Sequence, residues 1–223
     1  MNSSLPFSYT PPADNGLDIL YQDNELLVID KPAGLLSVPG RDEDKQDCLI
    51  RRVQTEFPSA LIVHRLDMAT SGAMVIALND EVHRKLSILF EKRKVQKRYV
   101  AIVDGLVNNN EGLIDLPLIT DWPNRPKQMI DHERGKASRT RYHVMSYDQE
   151  AKTTRLELIP ETGRTHQIRV HLMSLGHAIL GDRLYASDEV IAKANRLLLH
   201  SSYLSFSHPV SDEQLEVNSV IPF

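Results

Sequence analysis

The longest apolar run in the chain, Ala73-Met74-Val75-Ile76-Ala77-Leu78, follows Gly72 and is rich in Val and Ile, which predicts a buried strand. Shorter runs at 17–21 and 26–30 predict two strands around the turn Gln22-Asp23-Asn24-Glu25. Leu49, Ile50, Val53 and Phe57 share one side of a helix over 47–57, which Pro58 ends. Val82, Leu86, Leu89 and Phe90 do the same for a helix from a capping Asp80 through Arg93. Strands are expected at 99–103 and 111–116, then a pair at 138–147 and 153–160. The segment 162–171 opens a helix that closes at Gly176, with Ile168, Leu172 and Leu175 as its apolar stripe. A short helix over 187–195, a late strand within 197–206 and a final strand at 214–217 complete the pattern.

Two loops interrupt it. Residues 31–40 hold two Pro and two Gly among apolar residues and read as a structured loop across the core; 121–128 is a long basic loop with two prolines. Residues 1–16 are polar, with Pro11-Pro12 and Asn15-Gly16, and read as a loosely held arm. No linker or repeat divides 17–223. Nine or ten strands interleaved with three or four helices and short turns predict a mostly antiparallel α+β domain.

Composition narrows the class. With 25% charged and 41% hydrophobic residues the chain is that of an ordinary soluble protein large enough for a sizeable core. The single cysteine, Cys48, excludes an internal disulfide and any multi-cysteine zinc site, and fits a reducing compartment. No segment has the length of a membrane span, and the first residues lack the pattern of a signal peptide, so a cytoplasmic location is expected. The net charge of −4 conceals an asymmetry: residues 82–141 carry 13 Lys or Arg against 7 Asp or Glu. A cationic middle on an acidic body suits a local polyanion contact, and equally a solvated face.

Candidate chemistry centres on His64-Arg65-Leu66-Asp67-Met68-Ala69-Thr70-Ser71-Gly72, a polar turn between apolar stretches that places Asp67 at the mouth of a core strand. Taken singly, Asp67 is also explained by pairing with Arg65 or by capping the turn through Thr70 and Ser71. There is no Gly-x-Ser-x-Gly elbow, phosphate loop or Gly-x-Gly-x-x-Gly, which argues against a serine-hydrolase nucleophile at Ser71 and against nucleotide cofactors. His166 and His171 are five apart, the wrong spacing to share a metal on one helical face. A working carboxylate must stay ionised in a dry site, and a guanidinium opposes the rise in pKa that burial causes. Arg164, in a Gly-Arg-Thr-His turn before a helix, is the expected partner because of its planar fork. Tyr99, after the basic run 92–98, is placed to stack a planar ring beside a phosphate track.

These residues occur in a pattern that resembles the RluA family of pseudouridine synthases. The resemblance is carried by His64-Arg65-Leu66-Asp67 with Thr70-Ser71-Gly72, by Lys31-Pro32-x-Gly34, by Lys97-x-Tyr99-x-Ala101, by Thr162-Gly163-Arg164-Thr165-His166-Gln167-Ile168-Arg169-x-His171, by Gly181-Asp182 and by Leu197-Leu198-Leu199-His200, in the family's order. It implies a pseudouridine synthase catalytic domain over 17–223, with flanking helices and a cleft across a mixed, mainly antiparallel sheet. The implied reaction is uridine isomerisation in RNA with no cofactor and no metal. It further implies Asp67 as catalytic aspartate, Arg164 as its ion-pair partner and Tyr99 stacked on the target base. RNA contacts would come from His64, Arg65, Thr70, Lys97, Arg125, Lys127, His166, Arg169 and Leu198. Of these, Arg65 would fill the gap left by the everted base and Leu198 would line the pocket.

No S4-type RNA-binding domain fits before Leu17. With Asp121-Trp122-Pro123-Asn124-Arg125-Pro126-Lys127, this is similar to the dual-specificity branch of the family. Its members act on large-subunit rRNA and on a tRNA anticodon stem-loop; a monomer, with no membrane partner, is expected. Two other readings stay open on sequence: a non-catalytic RNA-binding or ribosome-assembly factor, and a nucleoside glycosidase. The second would need another catalytic carboxylate that the motifs do not supply.

Overall fold

A computed structural model describes residues 9–223; the first half of the expected arm lies outside the described residues. In chain order the elements are β1 (Ile19–Gln22), β2 (Leu26–Lys31), α1 (Leu49–Glu56), β3 (Leu61–Ile62), β4 (Ser71–Ala77), α2 (Asp80–Glu91), β5 (Gln96–Asp104), β6 (Glu111–Asp115), β7 (Leu118–Thr120), β8 (Gln128–Ile130), β9 (Arg139–Asp148), β10 (Thr153–Pro160), α3 (Gln167–Ser174), α4 (Asp188–Ala192), β11 (Leu199–Ser207) and β12 (Gln214–Asn218). Ten strands form one sheet in the order β1-β2-β4-β11-β5-β10-β9-β6, with β3 on β4 and β12 on β11. The β4–β11 pair is parallel and every other pair in that sheet is antiparallel. Strands β7 and β8 make a separate two-stranded hairpin.

Strand β4 is buried at every position, as its unbroken apolar run requires. On one face Met74 and Ile76 pack with Leu27, Ile29 and α1; on the other Ala73, Val75 and Ala77 pack with Val82 and Leu86 of α2. A third cluster joins Ala101, Val103, Leu156 and Leu158 to Ile168 and Leu172 of α3. Tyr99 touches both the α1 cluster and the α3 cluster, so the two cores meet at its ring.

Four local expectations are corrected. The α2 cap is Asn79, whose side chain accepts from the Val82 amide at 2.9 Å, and Asp80 is already helical. The helix stops at Glu91, Arg93 takes φ 55°, and β5 begins at Gln96, inside the basic run, because Lys97 and Tyr99 turn inward alternately with exposed Gln96 and Arg98. The basic loop 121–128 is the tip of the β7–β8 hairpin. Residues 9–16 are tied down: Tyr9 donates to the Asp47 carbonyl (2.9 Å) and accepts from the Leu36 amide (3.0 Å), and Arg52 donates to the Pro12 carbonyl (2.7 Å).

Candidate active site

The turn that carries Asp67 is pinned from loop 31–40. Lys31, with no exposed surface, donates from Nζ to the carbonyls of Pro32 (2.8 Å), Leu35 (2.7 Å) and Met68 (3.2 Å). Gly34 N–H donates to the same Met68 carbonyl, and the Ser37 hydroxyl donates to the Leu66 carbonyl at 2.7 Å. Burial pulls the Lys31 ammonium down to about 7, and the Asp67 carboxylate works against that. Behind the turn the register sets Lys31, Gly72, Ser201, Tyr99, Leu158, Tyr142 and Gly112 in one row across the sheet. Gly72 lies at φ 116°, and a Cβ there would overlap the Ser201 backbone, so this close parallel approach admits only glycine.

Asp67 opens into a cavity of about 900 Å³ whose walls include His64, Arg65, Thr70, Lys97, Tyr99, Arg164, His166, Arg169 and Leu199. Its side chain is 24% exposed, and Arg169 Nη1 lies 3.6 Å from its Oδ2. Arg169 is held in turn by a bidentate pair with Asp182, Nε to Oδ2 at 2.8 Å and Nη2 to Oδ1 at 2.6 Å; both residues are buried. One guanidinium therefore serves two carboxylates through its fork, a geometry lysine has no means of copying. Gly181 makes the Asp182 side possible: at φ 73°, its missing Cβ leaves room for the Arg196 carbonyl. His166, in the left-handed region at φ 54°, shares a hydrogen bond of 2.7 Å with the Tyr185 hydroxyl and brings Nε2 to 3.9 Å from Asp67. Burial lowers the pKa of His166 although Asp67 raises it. Tyr99, half-buried, has its phenol pushed up to about 12, by burial first and by Asp67 as well. It remains a neutral ring and a hydroxyl donor at any ordinary pH.

The structure corrects two of the site residues expected from sequence. Arg164 is not the partner of Asp67: it stands in the cavity wall and its Nε points to the Ala137 carbonyl at 3.4 Å. The reason is the helix start. The helix begins only at Gln167, after a turn in which His166 is left-handed, so Arg164 lies before it and is exposed while Arg169, inside α3, is buried. Leu198, just before β11, packs against the α3 cluster and does not line the cavity; Leu199, a buried member of that same cluster, does. His64 accepts the Val75 amide through Nε2 (3.1 Å) and stacks on Phe90 with centroids 4.5 Å apart. Burial holds its pKa down to about 3, so it stands in the cavity wall as a neutral ring.

Thr70 is buried in the wall beside Asp67, Lys97 stands over the Phe90 ring at 5.7 Å, and Arg65 is exposed at the rim. Arg125 and Lys127 lie outside the cavity, on the exposed hairpin. Sequence reasoning assigned no role to Lys31, Asp182 or Tyr185. In helix 167–174 the polar and charged Gln167, Arg169 and His171 are buried along with Ile168, Val170 and Leu172, while Leu175, expected in the stripe, is 42% exposed. Among the described residues no group of His, Cys, Asp and Glu is placed to hold a metal, and no helix is long and apolar enough to cross a membrane.

Comparison with known proteins decides what this arrangement belongs to. The family model described as RNA pseudouridylate synthase matches residues 25–174, which include Asp67, Tyr99 and Arg169. The chain belongs to the RNA pseudouridylate synthase family. It is 52% identical over 202 residues to the dual-specificity RNA pseudouridine synthase RluA of Escherichia coli (strain K12), covering 91% of this chain and 92% of the relative. It is 48% identical to the protein of the same name from Vibrio parahaemolyticus, over 91% of this chain and 82% of that one. Among solved structures it is similar to human RNA pseudouridylate synthase domain containing 1, with TM-score 0.80 and 29% identity over 96% of this chain and 87% of that one. A second is human RNA pseudouridylate synthase domain containing 4, with TM-score 0.74 and 27% identity over 92% and 88%. As a pseudouridine synthase the chain is an isomerase that converts uridine to pseudouridine in RNA, on the mixed, mostly antiparallel sheet of its structural neighbours. A non-catalytic factor on this scaffold is not favoured.

Proposed function

We propose that Asp67 is the carboxylate that carries out the isomerisation, that Arg169 keeps it ionised and aimed, and that Tyr99 stacks on the everted uracil. One observation carries this reading: Asp67, Arg169 and the Tyr99 ring face a single cavity wide enough for a nucleotide. A uridine must leave its stack at a cost on the order of a few kcal/mol, least in a loop, and the pocket repays this by stacking and hydrogen bonds. Asp67 assists cleavage of the bond between N1 and C1′, the uracil turns within the pocket, C5 joins C1′, the C5 proton is lost to solvent and N1 takes up a proton in exchange. Leu199 packs the apolar side of the ring, and Thr70, Lys97, His166 and Arg164 hold the surrounding nucleotide. Arg65, exposed at the rim, fills the gap in the RNA stack.

The substrates we propose are loop uridines of large-subunit rRNA and of a tRNA anticodon stem-loop, acted on in the cytoplasm by a monomer whose residues 17–223 work as one catalytic domain. The support for two RNA classes is the identity to relatives named dual-specificity. Release of tritium from C5-labelled uridine in each RNA tests the reading. The wild type should release it from both and Asp67→Asn from neither, and release by Asp67→Asn would remove Asp67 from its role. Free uracil in the product would mark a glycosidase instead.

A further inference from the structure

We infer that Trp122 is a second base-stacking site, which holds an unstacked base of the RNA substrate outside the catalytic cavity. This rests on the RNA reading above and goes beyond it in naming a separate contact. Trp122 is the one tryptophan of the chain and is 63% exposed. Trp is among the residues most buried on average, so an indole this open stands out. The guanidinium of Arg125 lies 3.9 Å from the ring centroid and covers one face, leaving the other to solvent.

The presentation is rigid. The Asp121 amide donates to the Lys127 carbonyl (3.0 Å), the Lys127 amide to the Asn124 carbonyl (3.0 Å), and the Asn124 side chain to Asp121 Oδ2 (2.9 Å). These bonds close the tip into a small ring of chain, so the indole is ordered before any ligand arrives. The hairpin that bears it pairs with no strand of the main sheet, so the exposed ring serves no core.

The same hairpin is fixed to the catalytic wall. The Gln128 amide donates to the Tyr185 hydroxyl at 2.8 Å, that hydroxyl bonds His166, and the Tyr185 ring lies 5.1 Å from the Arg169 guanidinium. The strand pairing sets Gln128 opposite Thr120, two residues before Trp122. The hairpin that carries the indole is thus hydrogen-bonded to the wall around Asp67, through Tyr185 and His166. With Arg125 on the ring and Lys127 exposed beside it, the tip offers an aromatic face and cations for the adjoining phosphate. The ligand class is any base with a free π face, which favours a loop over a paired stem.

Because there is one tryptophan, its emission reports this site alone. Titrating the wild type with an unlabelled RNA hairpin that it turns over should quench Trp122 saturably, at the concentration that half-saturates turnover. A fully paired duplex of equal length should not. Trp122→Ala should raise KM about tenfold at unchanged kcat, and Trp122→Phe should restore most of the loss, since stacking needs a ring. Turnover of the hairpin with unchanged emission, equal quenching by the duplex, or an unchanged KM in Trp122→Ala would each overturn the site while leaving the catalytic reading intact. Absence of tritium release by the wild type would instead sink the catalytic reading, and this one with it.

Discussion

The sheet beneath Asp67 and the hairpin beside it hold their functional side chains by opposite means. The turn of Asp67 is fixed from several directions at once: by a buried ammonium on three carbonyls, by a strand with no exposed residue, and by an arginine locked on a second carboxylate. The hairpin is fixed by local hydrogen bonds and one link to Tyr185, and leaves the side chains of its tip in water. Chemistry needs a carboxylate placed within a fraction of an ångström, and only a packed interior enforces that. Recognition of many bases needs faces and charges, which a rigid but exposed tip supplies.

The largest effect should follow from changing the charge at the fixed centre. Asp67→Asn keeps the shape and should lower the rate of tritium release by at least about 10⁴-fold, with RNA affinity within about tenfold of wild type in a filter-binding assay. A comparable loss of affinity would show that Asp67 works in binding, and the contrast drawn above would fail.

Next comes the arginine pair. Arg169→Lys leaves either Asp67 or Asp182 without its partner in a buried setting, where breaking such a pair costs about 3–5 kcal/mol. Turnover should fall roughly a hundredfold or more, with a lowered denaturation midpoint. Arg164→Lys should change kcat by less than about threefold, because Arg164 makes no contact with Asp67 and its one bond is to a carbonyl at 3.4 Å. Steady-state kinetics of the two variants checks the assignment; an Arg164 effect as large as that of Arg169 would reverse it.

The difference between those arginines also shows where sequence stops being legible. The six-residue apolar run, the helix periods and the Pro and Gly punctuation were enough for β4, α1, α2 and a mostly antiparallel sheet, because burial on a fixed period leaves a direct trace. Asp67 and Tyr99 were legible for the same reason, each being tied to a strand. Which arginine meets Asp67 depended on whether Thr162 to His166 is helix or cap. That was settled by Gln167, whose side-chain oxygen accepts from the Arg164 amide at 3.1 Å and from the Thr162 hydroxyl at 2.6 Å while its NH2 donates across to Arg139 and Thr140 of β9 (2.9 Å each), contacts with no local period. Lys31 was quoted as part of a motif, but its burial arises only when loop 31–40 folds over the turn at Met68. The hairpin was read as loop because two strands of three residues carry too little alternation to register.

Acid should damage the fixed centre by a route the hairpin lacks. His64 titrates at about 3 in the folded chain against 6.5 in the unfolded one. Between those values the unfolded chain binds a proton that the folded chain does not, so stability falls as pH drops through 6.5 towards 3. His166, His171 and His200 are lowered by burial too and add to the same slope. His64→Gln keeps an acceptor for the Val75 amide and should flatten the loss of stability between pH 6 and 4 by up to about 1.4 kcal/mol per pH unit. Urea unfolding at several pH values measures it, and an unchanged slope would mean that His64 is charged in the fold.

The smallest effect belongs to Arg125, and it separates the two kinds of construction most finely. Its guanidinium braces the Trp122 ring, beside which the proposed stacking would bring a phosphate. If it also meets that phosphate, Arg125→Ala should raise KM only a few-fold at low salt and leave kcat alone. The slope of log KM against log salt should fall by about one, the signature of a single lost ionic contact. A purely structural brace would give the same modest rise in KM with the salt slope intact, because losing ring order removes stacking and no counterion is involved. Measuring KM at several salt concentrations in both proteins distinguishes them. A change in kcat from so remote and exposed a residue would mean that the hairpin is coupled to the geometry at Asp67 through Tyr185, and that the two regions are one device.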